Sequence, residues 1–284
     1  MENIKRVMGV KLDKVDIRDY KINKAMARAA SYPESFSLDC GKVIKDQGSV
    51  GSCVAFATSE ILEYFHENQV NLSTNFIYGI HYKLFGSKGP GMFLREACKI
   101  VKDYGDPQEE FCGGNTEVDR VYEIAEAAYN NKYTMKNARK FSISSYAKLR
   151  GDSDIKYSLM NHGPVLASMA WYSRNVCNRA TGLLTKAGDF DGYHAIMIYG
   201  WNETGWLVQN SWGSYWGKKG TFILPFEYGL VVAYSLINGS GSEDIDVPTK
   251  NKFLNNLYKF INIFINAGIS IYNFFMEHFV GKKR

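Results

Sequence analysis

A change of residue texture near position 140 constrains the fold of this 284-residue chain more than any other feature. Ahead of it, Val54, Ala57, Ile61, Leu62 and Phe65 recur at three- and four-residue steps, drawing one face of a helix about three turns long. The stretch LREACKIVKDYG (94–105) reads as a second helix, closed by Gly105 with Pro107 just beyond, and EVDRVYEIAEAAYNN (117–131) as a third. Behind position 140 come short runs rich in β-branched and aromatic residues (FSISSY, PVLASMAW, HAIMIYGW, GWLVQNSW, GTFILP), punctuated by Gly, Asn and Asp in the manner of antiparallel strands. An α+β fold follows, with a helical lobe over about 46–140, a barrel-like antiparallel β lobe over about 141–239 and a cleft between them. At 45% hydrophobic residues, the chain can bury one sizeable core divided between two lobes.

Both ends read as lying outside that body. Residues 1–30 are polar and charged and form an N-terminal extension, with Pro33 marking entry into the folded part, 31–239. Eight basic and four acidic side chains among residues 1–29 stand against a net acidic body, so the extension is expected either to lie weakly across the cleft as a minimal propeptide or lid or to remain a disordered tail. Residues 240–252 are a small, polar linker. Within 253–284, Asn255, Lys259, Asn262, Asn266, Ser270, Asn273 and Glu277 draw a narrow polar stripe along an otherwise apolar helix that ends in Lys282, Lys283 and Arg284. Asn and Glu interrupt every run long enough to span a bilayer, so this helix is expected to lie on a membrane or pair with a second copy, with folding back onto the body as the alternative. No Lys/Arg face of nucleic-acid-binding density is present, and nucleic acid is not an expected partner. The start, MENIKRVMGVKLDKVDIRDYK, has no apolar stretch of secretory-signal length; a cytoplasmic protein is expected, peripheral to a membrane if its last helix binds one.

The five Cys are odd in number and form no CxxC pair, so neither a disulfide framework nor a metal centre is expected, and Cys40, Cys98, Cys112 and Cys177 read as packed thiols. Cys53 differs. In DQGSVGSCVAFA it stands at the start of the first helix, where unpaired N–H groups and the helix dipole lower a thiol's pKa and populate the nucleophilic thiolate. Such a nucleophile needs a base. Of the five His, His194 heads a β segment (GYHAIMIYGW), while His66, His81, His162 and His278 read as surface or packing residues. Asn210, in GWLVQNSWGSYWG, can hold an imidazole through its side-chain amide, with Trp206, Trp212 and Trp216 keeping water off that bond. Gln47, six residues ahead of Cys53, can set its amide against an oxyanion.

In these segments the chain resembles the papain-like cysteine peptidases, the group that includes the cathepsins. QGSVGSC (47–53) is similar to the family's Gln-Gly-x-x-Gly-Ser-Cys signature, GYHAIMIYGW to its His segment and VQNSWGSYWGKKGTF to its Asn-Ser-Trp-Gly segment, all in the family's order, and the likeness runs from about Tyr32 to Asn238. The resemblance implies a two-lobe papain-like fold and a cysteine peptidase of endopeptidase type acting on peptides or proteins without cofactor or metal. It implies Cys53 as nucleophile, His194 as base, Asn210 as its orienter and Gln47 with the Cys53 N–H as oxyanion hole. Trp212 would shield the Asn210–His194 contact, and Gly91 and Tyr193 would meet substrate. Residues 1–30 would stand in place of a propeptide, being too short for the helical propeptide domain of secreted members. Val50 replaces the family's usual half-cystine before the nucleophile, the half-cystine commonly found before the His is missing too, and Val54 replaces the usual Trp after the nucleophile, as an intracellular variant without the disulfides would have it. Two other activities use the same parts: a catalytically silent peptide-binding scaffold and a transpeptidase.

Overall fold

The computed structural model describes residues 6–16, 19–40, 44–86, 90–114, 118–239 and 245–246. The helix expected at 253–284 lies outside these residues, and the linker at 240–252 almost wholly so. Two compact units divide the chain, residues 1–15 with 21–245 and residues 16–20 with 246–284. All elements below belong to the first. Among the described residues no helix is long and apolar enough to cross a membrane.

The unit opens with strand β1 (Val10–Lys11), strand β2 (Lys21–Ile22), helix α1 (Lys24–Ala29) and strand β3 (Phe36–Ser37). Asn23 starts α1 by accepting the N–H groups of Ala25 and Met26 on its side-chain oxygen at 2.9 and 3.3 Å. The expectation that all of residues 1–30 stay outside the core is corrected here: Ile22 and Ala27 are buried to 1% and 0% exposure, and α1 packs on a helix of the β lobe. A two-residue strand and a six-residue helix are too short to show a hydrophobic period, so their anchoring was invisible in sequence.

The helical lobe follows: α2 (Cys53–Phe65), α3 (Thr74–Phe85), strand β4 (Met92–Phe93), α4 (Leu94–Asp103), α5 (Glu109–Cys112), α6 (Val118–Asn130) and α7 (Lys132–Ala138). Helix α2 is buried from Cys53 to Glu63, because it packs on α3 and α4 and also on two sheet strands. The sequence reading passed over α3, whose apolar residues keep no clean stripe. Ser73 begins it by accepting the Phe76 N–H at 3.2 Å, and Gly86, at φ 68, ends it in the left-handed conformation. Gly79 sits where α3 meets α6, and a Cβ there would lie 2.5 Å from both the Ala125 Cβ and the Val121 carbonyl oxygen. Only glycine permits that approach.

The β lobe consists of β5 (Ser145–Lys148), α8 (Asp152–Asn161), β6 (Val165–Tyr172), β7 (Val176–Cys177), β8 (Leu184–Thr185), β9 (Phe190–Trp201), β10 (Gly205–Gln209), β11 (Thr221–Pro225) and β12 (Val232–Ile237). Its main sheet runs β11-β10-β9-β6-β12-β5 with every neighbouring pair antiparallel, while β3 adds onto β9 and β2 lies parallel to β5. The helical-then-antiparallel order matches the α+β expectation, with α8 and β12 as elements the sequence reading did not assign. The long strand β9 faces α2, and this contact sets the geometry of the site.

Candidate active site

Cys53 is the first residue of α2 and is 0% exposed. Ser52 precedes it without capping the helix through its side chain, so first-turn N–H groups stay available to the sulfur. The Cys53 Sγ accepts the N–H of Ala195 at 3.4 Å, and the main-chain N–H groups of Gly9, Val54 and Cys53 itself also favour charge on it. Burial outweighs them all and pushes the thiol up to about 11.

Because Ala195 follows His194 on β9, the same contact brings the His194 main chain next to the nucleophile. His194 is fully buried, with Met169 of β6 as its cross-strand neighbour. Its Nε2 lies 2.7 Å from the Asn210 Oδ1. Since that oxygen only accepts, the proton sits on Nε2 and Nδ1 is the basic nitrogen. Nδ1 is buried and makes no hydrogen bond among the described residues. Asn210 comes directly after β10, where Met197 of β9 faces Gln209, and its Oδ1 also accepts the Ser211 N–H at 2.9 Å, which fixes the amide's orientation. Burial pulls the imidazole down to about 4, the Asn210 contact opposes this, and the Arg6 guanidinium lowers it further. Burial thus disfavours charge on both the thiol and the imidazole in this closed arrangement.

Gln47 is held from two sides. Its Oε1 accepts the Ser211 hydroxyl at 2.7 Å and the Trp212 Nε1–H at 3.2 Å, and its Nε2 donates to the Val50 carbonyl at 2.8 Å. Trp212 lies 4.8 Å from the His194 ring centroid, so it both covers the imidazole and fixes Gln47. The sequence reading missed Trp171, which meets His194 edge-on at 5.6 Å and Trp212 at 4.7 Å. It lay unnoticed at the end of PVLASMAW, where only the β6–β9 register, placing Trp171 opposite Gly192, reveals its neighbours.

Residues 6–11 occupy the cleft. Strand β1 pairs in parallel with β4, Val10 opposite Met92, and the Met92 N–H donates to the Gly9 carbonyl at 2.9 Å. The predicted contact residue Gly91 is present at φ +83, and a Cβ on it would stand 2.6 Å from the Gly9 oxygen. The hydrogen bond itself comes from the next residue, Met92. Gly9 is equally constrained, since its own Cβ would fall 2.0 Å from the Gly51 carbonyl oxygen. Met8 lies against Gly192, beside the predicted contact residue Tyr193, which packs its ring on Phe190 at 5.0 Å. Arg6 pairs with Asp46, donates to the Gly48 carbonyl at 2.9 Å and lies 5.7 Å over the Trp212 ring. Contacts thus join Cys53, His194, Asn210, Gln47 and Trp212 where α2 meets β9, while Gly91 lies against Gly9 and Tyr193 stands next to Gly192, which Met8 touches.

The five cysteines are all free thiols. A family model described as "Papain family cysteine protease" matches residues 35–228. The chain is 28% identical over 196 residues to a "Cysteine protease" of Blomia tropicalis, covering 62% of this chain and 55% of that relative. It is 30% identical over 196 residues to "Cathepsin L" of Sarcophaga peregrina, covering 62% of this chain and 53% of the relative, and so spans little more than half the length of these relatives. Among solved structures, xylellain, a cysteine protease from Xylella fastidiosa, superposes with a TM-score of 0.66 at 23% identity over 84% of this chain and 99% of the other. Procathepsin B S9 from Trypanosoma congolense does so with a TM-score of 0.61 at 17% identity over 83% of this chain and 87% of the other. At these identities the superpositions establish the shared fold.

Proposed function

Because this chain belongs to the papain family of cysteine proteases, we propose that it hydrolyses peptide bonds in protein or peptide substrates, with Cys53 as its nucleophile. One observation carries the reading: His194 is held through Nε2 by Asn210 at 2.7 Å with Nδ1 free of hydrogen bonds among the described residues, and the next residue, Ala195, donates its N–H to the Cys53 sulfur at 3.4 Å. Nδ1 takes the thiol proton and the thiolate attacks the substrate carbonyl carbon. The oxyanion then accepts hydrogen bonds from the Cys53 N–H and from the Gln47 Nε2, whose other hydrogen is engaged by Val50. The imidazolium protonates the leaving amine as the C–N bond breaks and a thioester remains. Water, deprotonated by His194, cleaves the thioester and returns the free thiol.

Residues 6–11 act as a lid in this reading. They present the Gly9 N–H to the sulfur and run parallel beside β4, where they fill the cleft. The chain continues on both sides of Gly9, through Met8 and through Val10, which favours endopeptidase action because the cleft admits a polypeptide running through it. A fluorogenic peptide panel assayed with the wild-type chain, a Gly9→Val chain and a Gly9→Val chain that also carries Cys53→Ala tests the function. Turnover by Gly9→Val, with little or none by the closed wild type, that vanishes when Cys53→Ala is added to Gly9→Val supports it; turnover that survives Cys53→Ala, or none by any chain, overturns it.

A further inference from the structure

Toward the C-terminal half of α2, away from Cys53, the structure contains a cavity of about 520 Å³ lined by Asp39, Glu60, Glu63 and Glu67 together with amides that include Asn71 and Gln209. No Lys or Arg belongs to its described lining. The cation nearest in the network, Lys45, is already committed: its ammonium lies 2.7 Å from Glu63 and donates to the Leu72 carbonyl at 2.8 Å. Glu63 also accepts the Leu72 N–H at 2.7 Å.

Glu60 is left over. It is 3% exposed, and neither of its carboxylate oxygens has a hydrogen bond among the described residues. Burial first, and then the Glu63 charge, push its carboxyl up to about 8, with Lys45 and the Gln209 amide offsetting only part of this. The Lys45 main-chain N–H and the Gln209 amide are near but meet neither oxygen in good hydrogen-bond geometry, and a buried carboxyl group so weakly served is unfavourable unless something else supplies donors. The cavity is too large for a bare ion, and no group of His, Cys, Asp or Glu among the described residues is arranged to hold a metal. Its lining offers several carboxylate and amide oxygens around one deep acid, which suits a charged group carrying several N–H donors.

We propose that this cavity binds a small organic cation, a guanidinium or primary ammonium on a short aliphatic stem, with Glu60 as its buried counter-ion and Glu67 at the rim. The group enters as the free amine or as a lysine side chain of a protein. Catalysis is not involved, so the site is measured in the full-length Cys53→Ala chain, where a failed protease assay has no bearing on the outcome.

Isothermal titration of that chain with agmatine at 150 mM salt, with the neutral N-butylurea as control, tests the site. One agmatine per chain is expected, with binding weakened at least about tenfold by Glu60→Gln and severalfold by Glu67→Gln, as loss of a charge-assisted hydrogen bond requires. Glu67 is exposed, so its variant keeps the test valid should Glu60→Gln misfold. Tighter binding of N-acetyl-lysine methylamide than of agmatine assigns the site to a protein side chain, and the reverse order assigns it to a free amine. Agmatine that fails to bind at millimolar concentration, binds both Gln variants as well as the parent, or binds no better than N-butylurea overturns the proposal.

Discussion

The Gly9 carbonyl accepts the Met92 N–H at 2.9 Å while the Gly9 N–H faces the Cys53 sulfur, so a single residue of the lid satisfies both walls of the cleft. Closure therefore depends on backbone contacts that only glycine allows at this point, with a Cβ meeting the Gly51 carbonyl oxygen at 2.0 Å.

Gly9→Val is accordingly expected to expel the lid. Labelling of Cys53 by an epoxide such as E-64 should accelerate by at least an order of magnitude while circular dichroism stays unchanged; an unaltered labelling rate would refute the closed arrangement. Arg6→Ala should accelerate labelling less, because an ion pair of this exposure contributes about 0–1 kcal/mol. Removing residues 2–11 should leave a folded, active chain, whereas removing 2–30 also deletes Ile22 and Ala27 from the core and should lower the melting temperature or abolish folding.

Acid should loosen the same latch. Partial burial favours protonation of Asp46, but the Arg6 hydrogen bond, the Gly48 N–H and the Arg6 charge together hold its pKa below the ordinary 3.8. A depressed carboxyl pKa stabilises the closed form above 3.8, and that contribution disappears as pH falls through the lowered value. Labelling of wild type should therefore rise relative to Asp46→Asn as pH is lowered toward and below 3.8. Parallel profiles for the two chains would exclude the latch.

The buried thiol carries its own pH signature. With Cys53 raised to about 11 and His194 lowered to about 4, the closed chain should react slowly with iodoacetamide at neutral pH and faster as pH climbs toward 11. In Gly9→Val, water reaches the sulfur, the penalty on charge falls and the inflection should move to lower pH. Coincident profiles would place the source of the shift elsewhere.

Asn210→Ala leaves the His194 Nε2–H buried without an acceptor, an expected loss of about 1–3 kcal/mol in transition-state stabilisation, or roughly 5- to 150-fold in kcat/KM, measured in the Gly9→Val background. Trp171→Ala should act through the same ring. Its signature is a displaced acidic limb of the pH–rate profile, since the edge-on contact at 5.6 Å helps keep water from the imidazole. A Trp171→Ala chain with lowered stability and an unmoved profile would reduce Trp171 to a packing residue.

Gly79→Ala tests the helical lobe independently of the cleft. A methyl group 2.5 Å from both Ala125 and the Val121 carbonyl forces α3 and α6 apart, and overpacking of this kind typically destabilises by about 1–3 kcal/mol. Thermal denaturation should show it; a melting temperature within error of wild type would mean that the two helices separate at no cost.

What sequence conveyed was chemistry tied to local pattern. Cys53, His194, Asn210 and Gln47 were legible because each stands in a short segment of fixed residue types, and the structure brings all four together. Trp171 was not, because its role depends on a cross-strand register between residues some twenty positions apart. The charge of the N-terminal segment says nothing of how it is held: one guanidinium clamped by Asp46 and Gly48 and a pair of close glycine contacts fix it, and neither can be read from net charge. Helix α1 and strand β2 escaped notice because elements of six and two residues carry no period. Glu60 resembled any acidic helix residue until the packing of α2 showed it buried.

The short connection between β1 and β2 joins a segment that blocks the nucleophile to one fixed in the core. While intact, it keeps the blocker at an effective concentration on the order of millimolar, so that even the weak contacts of Arg6 and Gly9 suffice to hold the cleft shut. A single cut in that connection would turn the blocker into a dilute peptide free to diffuse away, leaving the anchored half behind as a permanent part of the fold.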